Sequence, residues 1–334
     1  MNSLERYVGM LERKPVDFVP RLPILMQFAA EYIGSNYGAF AADYRVLVEA
    51  NARCAEDFGM DQVSAISDPY RETQGFGAQI QFVRDGVPKC QEPPLAQTKD
   101  LTALLSPNPL TSARMLDRIN AVRAYHARFG GRASILGWIE GPAAEAADLR
   151  GVANFFVDLL DDRPFAGELM DRCVDVGLEF AKAQIEAGAE TIGIGDAAAS
   201  QVSPRVYRQL IWPREQRLIA GIKALGAYVR LHICGNITHL LPDIAKLPID
   251  LLDIDHLVEM AAARQIIGPN IALAGNIDPV NGVLHGTPDT IRRTMQAIYQ
   301  TVGNPYMVTA GCEIPSGTPV ANLRALCEPI PYRP

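Results

Sequence analysis

Short apolar runs alternate with longer stretches of helical spacing along most of the chain. Apolar side chains recur every three to four positions over residues 43–58, 111–129, 151–187, 204–224, 257–267, 287–302 and 319–327, which predicts helices. Ser203 before Pro204 adds a capping residue and a first-turn proline to one of them. Between the helices lie brief strand-like runs at 62–68, 133–140, 191–196, 230–234, 251–255, 271–276 and 306–312. An earlier run, 18–25, is also strand-like, but Pro20 and Pro23 interrupt it, which suits a first strand better than a sheet centre.

That makes eight strands, each followed by a helix or a polar loop. Such alternation implies a parallel sheet, and eight units favour an α/β fold of the (β/α)8 TIM-barrel kind over an open doubly wound sheet. Residues 1–18 read as an N-terminal extension, a short helix and a linker. A turn signal, Arg84-Asp85-Gly86-Val87-Pro88, inside the alternating stretch 78–92 predicts a hairpin-like insertion after the second strand. A single domain, 1–334, is expected, without short repeats or low-complexity tracts.

Composition narrows the class. With 48% hydrophobic and 21% charged residues, the chain has the profile of a soluble globular protein. A net charge of −7 argues against a basic nucleic-acid surface and leaves a small molecule or a protein as partner. No apolar run approaches the ~20 residues of a membrane helix, and the start lacks the basic and apolar regions of a secretory signal. The expected location is the cytoplasm. Six cysteines at irregular spacing do not resemble a disulfide scaffold, so the question becomes which thiols do chemistry.

A barrel places its active site at the carboxyl ends of its strands. Those ends read Asp68, Glu140, Asp196, His232 with Cys234, Asp255, Asn276 with Asp278, and Cys312 with Glu313. In extended backbone, side chains two apart point the same way. His232 and Cys234 therefore face one point, which Cys312 can reach from another strand. Imidazole and thiolate are preferred zinc ligands, and three protein ligands with a fourth position for substrate is the catalytic arrangement. Two thiolates offset the charge of the ion, which points to thiol or alkyl chemistry. The other cysteines and histidines lack such pairing: Cys54 and Cys173 lie on helical patterns, and Cys90, Cys327, His126, His239, His256 and His285 have no ligand spacing. Gly193, Gly195 and Gly275 lie in strands, where a missing side chain permits close approach. Gly193-x-Gly195 lacks the third glycine of a dinucleotide fingerprint.

The segments Leu231-His232-Ile233-Cys234-Gly235-Asn236, Ala274-Gly275-Asn276-Ile277-Asp278-Pro279 and Ala310-Gly311-Cys312 resemble the uroporphyrinogen decarboxylase superfamily, and within it the zinc-dependent cobalamin methyltransferases. The similarity extends from Pro15-Val16-Asp17-Phe18-Val19-Pro20 to Gly317-Thr318-Pro319. In that branch a His-x-Cys pair and a distant Cys hold zinc on a (β/α)8 barrel, and His232, Cys234 and Cys312 match those positions. The resemblance implies methyl transfer between a small methoxy or methylthio compound, or a thiol, and the cobalt of a cobalamin (corrinoid) carried by a separate corrinoid protein. It leaves Glu140, Asp255 or Glu313 to supply a resting fourth ligand or to handle the thiol proton. Asp68, Asp196, Asn276 and Asp278 are expected to line the substrate cavity, with Tyr70 at its lip.

The decarboxylase of the superfamily is metal-free and uses arginines and an aspartate, which Asp68 resembles. Its arginine-rich segment near the first strand is replaced here by Leu25-Met26-Gln27-Phe28-Ala29-Ala30. Decarboxylation is accordingly the second reading, and a non-catalytic small-molecule-binding barrel the third. The acid in Cys312-Glu313-Ile314-Pro315 speaks against coenzyme M as acceptor and for a methylated small compound as donor.

Overall fold

The computed structural model describes residues Met1–Pro334. In chain order its strands are β1 (Gln62–Ser64), β2 (Ile80–Val83), β3 (Gly86–Cys90), β4 (Ser134–Glu140), β5 (Thr191–Gly195), β6 (Tyr228–His232), β7 (Leu251–Asp253), β8 (Ala272–Ala274) and β9 (Tyr306–Met307). All but β2 and β3 join one sheet in the order β1-β4-β5-β6-β7-β8-β9, and every pair in it is parallel. Helices connect successive strands, as parallel crossovers require.

The proline-broken run 20–24 is not a regular strand. It carries backbone hydrogen bonds to both edges of the sheet: Val308 N donates to Pro20 O (2.7 Å), Leu22 N to Val308 O (2.7 Å), and Asp61 N to Arg21 O (2.9 Å). Two prolines without N–H groups prevent a continuous ladder here, yet the segment still bonds to the edge beyond β9 and to the one before β1. The sheet is thus curled, and the fold is an α/β, TIM-barrel-like one.

Period-two alternation sorts the strand residues between the two faces. On β4, Ile135 and Ile139 join the large helix-facing core, as do Ile192 and Ile194 of β5 and Val229 and Leu231 of β6. The alternate residues face inward, where Leu136 and Trp138 pack with Ile24 and Ile66. The helix Ser3–Leu11 is capped by Asn2 in a reciprocal bond with Glu5. Its Tyr7 and Met10 pack with Leu251, Ala272 and Met307, and Tyr7 Oη lies 3.0 Å from Thr191 Oγ1 at the start of β5. The amino end of the sheet is covered in this way.

Two of the helical stretches carry detail that their periodicity leaves open. The stretch 151–187 is two helices, Val152–Asp161 and Arg163–Glu186, because Asp162 breaks the run and caps the second through Phe165 N, with Pro164 in the first turn. The stretch 204–224 contains a π-helical turn, Tyr207–Ile211, just before Pro213, which cannot donate a backbone hydrogen bond. Strands β2 and β3 form an antiparallel hairpin, with Ile80 opposite Cys90 and Gln81 opposite Lys89. No helix is long and apolar enough to cross a membrane.

Candidate active site

Inward-facing residues at the carboxyl ends of the strands enclose a cavity of about 180 Å³. His232, Cys234 and Cys312 meet at its wall. His232 Nε2 lies 2.9 Å from Cys234 Sγ, the two sulfurs are 3.5 Å apart, and Cys312 Sγ is 3.9 Å from the same nitrogen. An ion held by tetrahedral bonds of about 2.0–2.3 Å needs donor atoms about 3.4–3.8 Å apart. Two separations lie close to that range, and the third is a hydrogen-bonding distance. The soft, compact donor set fits a single metal ion.

The strand beside β6 orients the imidazole. Asp253 of β7 is in register with His232, and its Oδ2 lies 2.9 Å from His232 Nδ1. Arg230, two residues before His232 on the same face, donates through Nε to both Asp253 oxygens (3.0 and 2.9 Å) and through Nη1 to Gln62 Oε1 (2.7 Å). The carboxylate thus favours a proton on Nδ1 and leaves Nε2 as the ligating atom. Burial works against the Asp253 charge, but Arg230 and His232 outweigh it and hold the carboxyl below its usual range. Burial likewise opposes charge on His232, yet Cys234 and the bonds from Asp253, Cys234 and Cys312 raise its pKa. The two thiols split. A hydrogen bond from Cys234, with help from His232, holds the Cys312 thiol well below its ordinary value despite burial, whereas that bond and burial push Cys234 up. One proton shared between two sulfurs leaves one thiolate and one thiol, and the thiol must give up its proton for both sulfurs to hold a cation.

Trp138 forms part of the wall because β5 offers only glycine beneath it. A Cβ on Gly193 would run into Trp138 Cε3, and one on Gly195 would stand 3.0 Å from its Cζ2. The indole Nε1 donates to Glu140 Oε1 (3.2 Å), which also accepts from Arg71 Nη2 (2.5 Å). Asp68 is held in a two-pronged pair by Arg114 (2.7 and 2.6 Å) and accepts from Ser67 Oγ (2.6 Å). Burial opposes its charge, but Arg114 keeps it ionised and low. Glu313 accepts from Gln27 N (2.9 Å). Among the three carboxylates that reach the cavity, it has no cationic partner.

The structure therefore brings together Asp68, Glu140, His232, Cys234, Cys312 and Glu313. Five other expected residues point elsewhere. Asp196 is fully buried and accepts from Ala144 N (2.7 Å) and Ala143 N (3.4 Å), capping the helix Pro142–Arg150. Asp255 accepts from Gly235 N and Leu257 N, both 2.9 Å, tying down the loops after β6 and β7. Asn276 donates to Val258 O (2.7 Å) and Asp255 O (3.2 Å). Asp278 caps the turn at Val280 and Asn281. Tyr70 donates its backbone N–H to Asp68 and does not line the cavity. Each meets local backbone groups left open where a strand ends, a demand that polar residues there can satisfy instead of facing a ligand.

Sequence reasoning passed over Asp253, Trp138 and Met26. An acid ending the apolar run Leu251-Leu252-Asp253 was a signal for the first, and the inward period of β4 for the second; Met26 has none.

The methylcobamide:CoM methyltransferase MtbA of Methanosarcina mazei is 28% identical over 97% of this chain and 96% of its own. A methylated-thiol–coenzyme M methyltransferase of the same organism is 27% identical over 93% of this chain and 84% of its own. A solved methyltransferase from Methanosarcina mazei superposes with a TM-score of 0.90 at 23% identity, covering 98% of this chain and 97% of that one, which establishes a shared fold. The family model "Uroporphyrinogen decarboxylase (URO-D)" matches residues 2–330, and the chain belongs to that family.

Proposed function

We propose that this protein is a zinc-dependent methyltransferase that moves a methyl group between a small methylated compound, or a thiol, and the cobalt of a corrinoid carried by a partner protein. The observation that carries the reading is the meeting of His232 Nε2, Cys234 Sγ and Cys312 Sγ at a cavity wall. The activities named for its methyltransferase relatives support it. A bound zinc supplies Lewis acidity, which lowers the pKa of a thiol or polarises the oxygen or sulfur that carries a methyl group.

The chain's own residues then have distinct tasks. Asp253 holds the imidazole so that Nε2 faces the sulfurs. Trp138, Met26, Ile24 and Ile66 line the cavity with apolar surface and exclude water around the methyl group. In transfer to cobalt(I), the carbon–heteroatom bond breaks with its electron pair left on oxygen or sulfur, and the cobalt pair forms the new cobalt–carbon bond. The departing heteroatom takes up one proton. We assign that proton to Glu313; the pairing of Arg71 and Arg114 with the other two wall carboxylates and the loop contacts of Asp255 support the choice. Asp68 and Glu140 shape the wall.

The same reading extends to the architecture: one domain, a (β/α)8 barrel in which the irregular run 20–24 takes the place of the first strand beside seven regular ones, with an N-terminal extension and the hairpin β2–β3 inserted after its second strand. A reducing cytoplasm suits its ligand thiols and a cobalt(I) acceptor. The test is to measure bound metal, mix the protein with cob(I)alamin and a panel of methoxy and methylthio compounds, and follow the cobalt absorbance. Spectral change that requires zinc and is lost in Cys312→Ala is expected. Failure in this direction and also from methylcobalamin to thiols would overturn the assignment.

A further inference from the structure

The cavity wall presents three carboxylates, from Asp68, Glu140 and Glu313, and no lysine or arginine. The arginines behind it are buried and ion-paired with wall carboxylates, although Arg71 uses only Nη2 on its partner and keeps Nε and Nη1 without a hydrogen-bond partner. Arg71 is 0% exposed and paired with Glu140, and Arg114 is 5% exposed and paired with Asp68. At position 26, in the segment that enters the cavity from the first strand region, stands a methionine. A sulfonate or carboxylate entering this space would lose its water and meet the ionised Asp68 and an otherwise apolar wall, with no lysine or arginine side chain on that wall to take its charge.

The remaining wall is apolar. Ile24, Met26, Ile66, Pro69 and Ala197 surround the indole of Trp138, whose one polar atom is already bonded to Glu140. An apolar cavity of about 150 Å³ accepts benzene, and this one measures about 180 Å³.

We propose that the small-molecule substrate of this site carries no anionic group and is an uncharged methoxy or methylthio compound with a body about the size of one aromatic ring. The inference rests on the methyl-transfer reading and deepens it. Thiols bearing a sulfonate, coenzyme M among them, and polycarboxylated tetrapyrroles fall outside the class.

Calorimetric titration of the zinc-loaded full chain at neutral pH with methoxybenzene, 4-methoxybenzoate, 4-methoxybenzenesulfonate and coenzyme M tests it without relying on turnover. Methoxybenzene is expected to bind at least about tenfold more tightly than either of its charged counterparts. Met26→Lys, which places a cation on the wall, should narrow or reverse that ratio. An anion that binds wild-type protein as tightly as methoxybenzene, or the absence of saturable methoxybenzene binding, would overturn the proposal. A parallel cob(I)alamin assay separates the two claims. Preferential binding of methoxybenzene with no methylation of cobalt by any donor, and no transfer from methylcobalamin to any thiol, sinks methyl transfer and leaves the substrate class standing. Efficient transfer to or from coenzyme M, faster than with the uncharged ether, does the reverse.

Discussion

Asp253 and His232 stand side by side on neighbouring strands, and the Asp253 Oδ2 lies 2.9 Å from the imidazole Nδ1. The same carboxylate receives both Nε bonds of Arg230, so one acid neutralises a buried guanidinium and aims a ligand.

Replacing that acid with Asn keeps its shape and removes its charge. Asp253→Asn should weaken zinc binding by about 10–100-fold, the usual effect of losing a carboxylate behind a ligating histidine. Competition with a chelator measures it. Unchanged affinity would mean that the strand alone orients the ring.

The cysteines divide by place. Cys312→Ser should lower zinc from about one per chain to a small fraction, with the circular dichroism spectrum retained. Cys54 is fully buried in the main core. Its change to Ser should leave the metal content alone and lower stability by about 1–3 kcal/mol, because the hydroxyl is buried among apolar groups. Metal analysis and urea denaturation distinguish the two.

Gly193 makes room for Trp138, since an added Cβ would run into the indole. Gly193→Ala should displace the ring, disturb the cavity wall and destabilise the fold by about 1–3 kcal/mol, as overpacking does. A shift in tryptophan emission together with a lower denaturation midpoint is the expected pair of signals. A normal spectrum and midpoint would show that the wall is more pliant than its packing suggests.

Burial, reinforced by Glu72, Asp148 and Glu140, raises the Glu145 carboxyl well above its ordinary value of 4.5. The folded state therefore keeps a proton that the unfolded chain releases above that pH. Folded protein binds more protons than unfolded in this window, so this group's contribution to stability falls as pH rises. Glu145→Gln keeps an acceptor for the Thr73 hydroxyl, which bonds Glu145 at 3.2 Å. It should flatten the decline in denaturation midpoint between about pH 5 and pH 8. A variant whose midpoint falls as steeply as that of the wild type would contradict it.

Polar residues at strand ends show where sequence reading reaches its limit. Glu140 and Asp196 close similar apolar runs, yet Glu140 reaches the cavity while Asp196 caps a helix beneath Gly141. Asn276 and Asp278 went the way of Asp196. Whether such a residue meets a ligand or a backbone amide depends on how the following loop turns, and composition at the strand end carries no trace of that.

From the sequence by itself came the periodicity that makes the strands and helices, and the common direction of His232 and Cys234, since side-chain direction in extended backbone is a local property. Residue types added the preference for a soft metal. The tertiary structure alone decided that Cys312 approaches those ligands to within 4 Å, that Asp253 lies behind the imidazole, and that Arg71 and Arg114 are buried against the wall carboxylates Glu140 and Asp68. Those facts depend on the stagger of strands and the pairing of charges far apart along the chain. A one-residue shift in register between β6 and β7 would undo the His232–Asp253 pair without changing any local pattern.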